Sequence, residues 1–334
     1  MTRTNTRFGL IGTGRITRRL VADLQSTDGC EVTAIASRSL DRATWCGGQY
    51  GVATAVAGYA DLLKRDDVDA VYISLPPSLH AEWAIAAADA GKQVLCEKPL
   101  AMNADEAVRI REACRSAGVR WLCATAWLHH ARTAAFRQVL SERKLGDVRH
   151  VSASVSFFEP FQTGEHRLQA PLGGGCVLDL AWYAAGLVRF ALGATCESVY
   201  ATSVDRDGVP IRCTAVMRFA GNQSATVSCG YDTATRKWFE IAGTDASLIC
   251  DDFTRPWADK PARFWIHDAS GKVDQSDFDD QQERRMIETL IGDEDLTEYH
   301  RQAIDTHRMI DAITASLESG QPEPTFGEGV QACI

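Results

Sequence analysis

Lys98, Asp179 and Tyr183 are side chains of the types that move protons and stabilise charge on a bound substrate. Lys98 closes the run QVLCEK, at the carboxyl end of a predicted parallel strand, the edge where open α/β sheets bind ligands. An ammonium there can stabilise negative charge that develops on a substrate oxygen. An ordinary surface pair with Glu97 is the competing reading. The segment GGGCVLDLAWYAAGLVRF reads as an apolar helix after three glycines, which sets Asp179 and Tyr183 at i and i+4, one above the other on one face. An acid one turn before a phenol on such a helix is costly unless both reach partners, and a cleft shared with Lys98 would supply them. A free tyrosine titrates near pKa ~10. A nearby ammonium favours its ionised form, so Tyr183 can give a proton to a nascent alkoxide or take one from an alcohol. The alternative is a half-buried core tyrosine bonded to backbone, and Trp182 reads as packing.

A second chemistry lies at the start of the chain. FGLIGTGRITRRL places Gly12 and Gly14 between a first strand and a first helix, where any side chain would block the tight turn and the approach of backbone N–H groups to a pyrophosphate. The loop residues Thr13, Arg15 and Ile16 belong to the same candidate cofactor site, while Thr17 stands where a third small residue is usual. About 20 residues on, an NAD site usually carries an acid for the ribose hydroxyls. Here EVTAIASRSLDRA has no acid between Val32 and Leu40; Ser37 and Arg38 hold the strand end instead. A hydroxyl beside a guanidinium suits a ribose phosphate, so NADP(H) is favoured over NAD(H), unless Arg38 is only a solvated loop charge.

The opening GTGRI, the turn from Pro76 to His80, Glu97-Lys98-Pro99, LGDVRHV and GGGCVLDLAWY together resemble the glucose-fructose oxidoreductase / inositol dehydrogenase / rhizopine-catabolism (Gfo/Idh/MocA) family of dehydrogenases, over nearly the entire chain. The E-K-P triplet and the G-G-G-x-x-x-D-x-x-x-[HY] segment are strong as a pair and weak singly. Tyr183 in place of the commoner histidine resembles the branch with glucose-fructose oxidoreductase, dihydrodiol dehydrogenase and deoxysugar ketoreductases. The resemblance implies a cis Lys98-Pro99 bond that aims the lysine, and cofactor contacts from Leu75, Pro76, His80, Glu97 and Lys98. Pro77 replaces a common asparagine, so any contact from that side chain is lost. It implies Lys98 and Tyr183 as a catalytic pair, with Asp179 orienting Lys98 or holding a sugar hydroxyl. Substrate contacts fall to Lys98, Asp179, Tyr183, and to His166 and Arg167 before the glycines, though a solvated loop reads equally well for the last two. The expected activity is NADP(H)-dependent hydride transfer between nicotinamide and a sugar or sugar-derived carbonyl or alcohol. A trans-dihydrodiol dehydrogenase is the alternative within enzymes, and a catalytically inactive dinucleotide-sensing regulator the alternative of another class.

The elements that must position these residues are legible in outline. In the first third, RFGLIG, EVTAIAS, DAVYISL and QVLC alternate with helix-length crossovers, which predicts a doubly wound parallel sheet. From about His150, VRHVSASVSFF, CESVYATSVD, IRCTAVMRFA, QSATVSCGYD, KWFEIAG and ASLICDD read as strands of a mostly antiparallel open sheet with helices on one face. The fold expected is thus α/β plus α+β: a Rossmann domain over 1–122, and an α+β substrate-binding and oligomerisation domain over 123–334. Specificity is expected from loops near Phe157 to His166 and Tyr231 to Trp238. Ile310, Ile313 and Leu317 mark a final amphipathic helix that ends at Ser319-Gly320.

Composition narrows the partners. Of 334 residues, 24% are charged and 45% hydrophobic, and the net charge of -9 argues against nucleic acid and anionic membranes. Apolar runs stop short of the roughly 20 residues of a membrane helix, and MTRTNTRFGLIG lacks a signal-peptide core; a cytoplasmic location is expected. The 11 cysteines are scattered and never spaced C-x-x-C, so they read as reduced, buried small hydrophobes. His129 and His130 show no metal spacing, so no metal is expected, and they are candidates for the substrate pocket. The free sheet face, by resemblance, predicts a homodimer or homotetramer.

Overall fold

The computed structural model describes residues 5–162, 164–193 and 196–325. Its contacts divide the chain into two compact units, one running to His129 and taking in Gln281–Arg301, the other formed by His130–Asp280 and the chain from Gln302 onward.

The first unit carries strands β1 (Thr6–Ile11), β2 (Cys30–Ser37), β3 (Thr54–Ala57), β4 (Ala70–Ile73), β5 (Gln93–Cys96) and β6 (Trp121–Cys123). They form one sheet in the order β3-β2-β1-β4-β5-β6, every neighbouring pair parallel. Helices α1 (Thr17–Ser26), α2 (Leu40–Tyr50), α3 (Tyr59–Leu63), α4 (His80–Asp89) and α5 (Ala104–Ala117) connect them. This is the doubly wound order whose halves diverge from β1 and β4, leaving a crevice at the carboxyl ends of those strands. Helix ends follow local chemistry. Ser39 Oγ accepts from the Arg42 N–H to start α2, and Asn103 Oδ1 accepts from the Glu106 N–H at 2.9 Å to start α5. Gly51 and Gly118 end the same two helices at φ of 69° and 67°.

The second unit opens with α6 (Ala131–Ser141), then β7 (Val148–Phe158) and α7 (Trp182–Leu192). Strands β8 (Cys196–Arg206), β9 (Val209–Phe219), β10 (Gln223–Gly230), β11 (Asp232–Gly243), β12 (Ala246–Cys250), β13 (Ala262–Asp268) and β14 (Val273–Phe278) follow. Their order is β14-β13-β12-β11-β7-β10-β9-β8, with β7 and β10 parallel and the other pairs antiparallel. Alternation decides the faces: on β9, Cys213, Ala215, Met217 and Phe219 are buried while Arg212, Thr214, Val216 and Arg218 are exposed. The α+β expectation holds, with two corrections. The region Tyr231 to Trp238, expected as a loop, is mostly strand, because β11 starts at Asp232 and pairs with β7. The stretch Ala170–Leu192, with a window of mean hydropathy 1.4, is long and apolar enough to cross a membrane, contrary to the reading of short apolar runs; 61% of that window is buried inside the protein. α7 packs on β7 and β10, so its apolarity serves a protein core.

Helix α8 (Gln282–Ile291) returns to the first unit, and α9 (Thr297–Ser319) gives its first residues to that unit and the rest to the second. Met286, Ile287, Leu290 and Leu296 join one apolar cluster with Phe8, Leu10, Leu20, Leu24 and Tyr72. The Arg120 guanidinium donates to the carbonyls of Leu290 at 2.8 Å and Thr289 at 2.9 Å. The units therefore do not divide at 122/123. The chain stays with the first unit through the turn Ala126–His129, and a late helix covers part of that unit's core, which strand and helix rhythm alone does not reveal. The ten described cysteines are buried and free of disulfide bonds; Cys333 lies outside the described residues.

Candidate active site

At the end of β1 the chain turns at Gly12 with φ +107°, and a Cβ there would stand 2.7 Å from the Ser74 carbonyl oxygen. At Gly14 it would stand 3.4 Å from the same oxygen. At Gly12 only glycine lets the turn pass this close to the end of β4. Thr17 resolves the oddity at the third position: fully buried, its hydroxyl lies 2.6 Å from the Ser74 hydroxyl and ties the start of α1 to β4. Ile16 supplies no side-chain cap and the first turn of α1 holds no acid, so no carboxylate competes for an anion at this helix end. A dinucleotide pyrophosphate fits this glycine cradle. Thr13 is half-buried, and Arg15 and Ile16 are exposed beside it.

At the end of β2, Ser37 is buried and Arg38 exposed. Arg42, which the sequence reading passed over, is aligned with them. Its Nε donates to Thr13 Oγ1 at 3.3 Å and its Nη2 to the Thr13 carbonyl at 3.2 Å, and the guanidinium lies 4.8 Å over the Trp45 ring. The signal was present, since Arg42 lies in the first turn of the helix that follows Arg38.

Lys98 follows β5, half-buried, and its bond to Pro99 is cis. Glu97 Oε1 accepts from the Tyr72 hydroxyl at 2.7 Å and its Oε2 from the Lys98 backbone N–H at 3.2 Å. Burial, and then the Glu97 charge, hold the Tyr72 phenol well above the usual tyrosine range, so it stays a donor. Leu75 and Pro76 are half-buried and Pro77 begins a tight turn. The buried His80 ring sets one nitrogen 2.7 Å from the Pro99 carbonyl oxygen and the other 2.8 Å from that of Leu75. It pins the segment after β4 to the turn that carries Lys98, so its ring nitrogens are turned to backbone.

In the second unit, Asp179 sits inside a wide turn, Val177–Ala181, closed by i→i+5 bonds, and the regular helix begins only at Trp182. The expected unbroken α-helix is thus corrected. In so wide a turn, four residues fall just short of a full circuit, which alters how Asp179 and Tyr183 stack. Such π-turns recur at functional sites. Asp179 Oδ2 accepts from Arg167 Nε at 2.7 Å and from the Tyr231 hydroxyl at 2.9 Å. Burial alone would lower Arg167, but Asp179 overrides it and holds the guanidinium above its ordinary value. Burial, then Asp179, pushes the Tyr231 phenol far up. His166 Nδ1 lies 2.7 Å from Glu165 Oε1; burial and Arg167 lower the imidazole against Glu165. Arg167 and His166, candidates for substrate contact or for a solvated loop, each pair with an acid of the protein. Tyr183 is half-buried one residue into α7. Tyr231 is the residue the sequence reading did not single out; only its place in a region marked for specificity pointed to it.

His129 and His130 are core residues. His129 Nδ1 lies 3.1 Å from Thr289 Oγ1, and its ring stacks on Tyr299 with centroids 4.4 Å apart; burial pulls it down to about 3. His130 caps α6, accepting from the Arg132 N–H at 3.0 Å.

Strand order, glycine turn and helix end together define a dinucleotide-binding Rossmann fold. The family model GFO_IDH_MocA, described as an oxidoreductase family with an NAD-binding Rossmann fold, matches residues 6–125, and the GFO/IDH/MocA C-terminal domain matches residues 133–249; the chain belongs to this family. It is 34% identical over 320 residues to a D-xylose 1-dehydrogenase (NADP(+)) of Haloferax volcanii, covering 94% of this chain and 98% of that one. It is 36% identical over 260 residues to a dTDP-3,4-didehydro-2,6-dideoxy-alpha-D-glucose 3-reductase of Actinomadura kijaniata, covering 76% and 77%. Among solved structures it resembles a 3-ketoreductase from Actinomadura kijaniata in complex with NADP and TDP-benzene, with TM-score 0.87, 30% identity, and coverage of 94% and 98%.

Proposed function

We propose that the protein transfers hydride between NADP(H) and a sugar or sugar-derived carbonyl or alcohol, with Lys98 and Tyr183 as catalytic residues. One observation carries the cofactor choice: the end of β2 presents Ser37 and Arg38 with Arg42 behind them, and no carboxylate where an NAD site would place one. The two kinds of substrate in the relatives' names, a pentose and a nucleoside-diphospho-ketosugar, support a polyhydroxylated substrate.

The Gly12 to Ile16 loop and the first turn of α1 would hold the pyrophosphate, and Ser37, Arg38 and Arg42 the ribose phosphate. When bound, the cofactor supplies or accepts the hydride. Tyr183 delivers a proton to the substrate oxygen in reduction and removes it in oxidation. The Lys98 ammonium stabilises the alkoxide charge. Asp179, its Oδ2 fixed by Arg167 and Tyr231, receives a hydroxyl of the sugar.

The test is nicotinamide turnover against a sugar panel. Lys98→Ala abolishes activity and Tyr183→Phe lowers kcat by about 10²- to 10⁴-fold, the range of a lost general acid. Arg38→Ala with Arg42→Ala raises KM for NADP(H) and spares that for NAD(H). Full activity in the Lys98 and Tyr183 variants would overturn the assignment. Cofactor binding without turnover on any substrate would indicate a dinucleotide sensor.

A further inference from the structure

The second unit holds a lysine that the mechanism does not use. Lys237 lies on β11 opposite Val155 of β7, and Val155 lies opposite Cys229 of β10. Residues in register across a sheet share a face, and Val155 and Cys229 are buried on the side where α7 packs. Lys237 therefore points to the helix side. Cys229 Sγ contacts the carbonyl of Cys176, the residue before the wide turn that holds Asp179, and Tyr231, two residues on, bonds Asp179 itself. Two strand spacings separate Lys237 from Cys229, about 10 Å.

The partners of Lys237 are neutral. Its Nζ donates to the Arg255 carbonyl at 2.6 Å and stands 3.6 Å from the centroid of the Trp257 ring. Meanwhile the acids nearest Lys237 are matched to other cations: Asp251 to Arg263, and the buried Asp252 to Arg132. Asp252 Oδ2 also accepts from the Trp257 N–H at 3.2 Å, which fixes the loop that carries the indole. Half-buried, Lys237 is held below the ordinary lysine value, by burial first, with Asp252 opposing and Arg132 adding to the shift. An ammonium on an aromatic face, bonded to one carbonyl, has donors left for an incoming anion.

We propose that Lys237, seated on Trp257, is an anion-binding residue of the substrate site, and that the sugar substrate carries an anionic group, a phosphate or a carboxylate, some bonds away from the reacting carbon. The inference rests on the sugar-oxidoreductase reading above. Trp257 excludes water from one side of the ammonium and so strengthens its attraction for the anion.

The experiment compares kcat/KM for a free aldose, its phosphate, its uronic acid and a nucleoside-diphosphate sugar, with NADP(H), in wild type, Lys237→Met and Lys237→Arg. The expected result is a preference of wild type for at least one anionic substrate. In Lys237→Met the ratio of anionic to neutral kcat/KM falls at least tenfold through KM, and Lys237→Arg keeps most of it. The preferred arm tells phosphate from carboxylate. An equal loss on all substrates, which a structural role would give, overturns the proposal, as does an unchanged ratio. Titration with inorganic pyrophosphate, the cofactor site filled by NADP+, gives a readout independent of turnover: binding at least tenfold weaker in Lys237→Met supports the subsite, and equal binding in a folded variant overturns it. If no sugar is turned over by any form yet pyrophosphate still discriminates, the sugar reading fails while the anion site stands.

Discussion

The Tyr231 hydroxyl donates to Asp179 Oδ2 at 2.9 Å and lies 3.1 Å from the Gly175 carbonyl oxygen, so one phenol from the sheet contacts both the acid and the glycine turn that leads to it. Two donors, Tyr231 and Arg167, therefore fix the same carboxylate oxygen. Tyr231→Phe removes one and leaves the other. A hydrogen bond to a charged group contributes about 1.5–3 kcal/mol, so kcat/KM is expected to fall about tenfold or more, without unfolding. Because burial and Asp179 keep this phenol protonated, the alkaline limb of the pH–rate profile stays where it is in wild type. Steady-state kinetics over pH, beside a melting curve, check both statements.

The Thr17–Ser74 hydroxyl pair is buried, so losing one member strands the other. Thr17→Ala is expected to cost about 1–3 kcal/mol in urea unfolding, the penalty of an unsatisfied buried group. Ser74→Ala added to it costs less than the sum of the single changes. KM for the cofactor rises in Thr17→Ala, since the glycine turn loses its tie to β4.

Burial, with Glu283 adding and Arg19 opposing, pushes the half-buried Asp23 up to about 6 from 3.8. Its Oδ2 is buried with no hydrogen-bond partner among the described residues. The folded protein thus holds this proton more tightly than the unfolded chain. The stabilisation is complete below about pH 4 and is lost as pH rises through 6. A two-unit shift corresponds to roughly 3 kcal/mol; solvent screening of a half-exposed group reduces that to about 1. Asp23→Asn is expected to stabilise by about that amount at pH 8 and not at pH 4, as denaturant unfolding at the two pH values would show.

Much of this was legible in residue order because the signals are local. Gly12 and Gly14 between a strand and a helix, the absence of an acid between Val32 and Leu40, and the alternation on β9 each follow from neighbours in the chain. The rest depends on partners far away in sequence. Thr17 looked anomalous until Ser74 stood beside it, and Tyr231 gave no sign of meeting Asp179. The pairing of Arg167 with Asp179 and of His166 with Glu165 was likewise invisible in residue order. The wide turn at Val177–Ala181 has no signature in an apolar pattern that suits an α-helix equally well, and β14, VDQSDF, is too polar to stand out as a strand.

Met286, Ile287 and Leu290 belong to the core of a unit whose strands are all complete by Cys123. During synthesis on a ribosome, the nascent Rossmann portion thus emerges with a greasy groove that its own later residues must cover, after the intervening sheet has been translated. A release fragment ending near residue 130 would keep that groove open to other chains, and exposed surface of this kind invites aggregation. Dissecting this enzyme into an independent nucleotide-binding piece therefore requires splicing the α8 segment back on, not merely cutting at the linker.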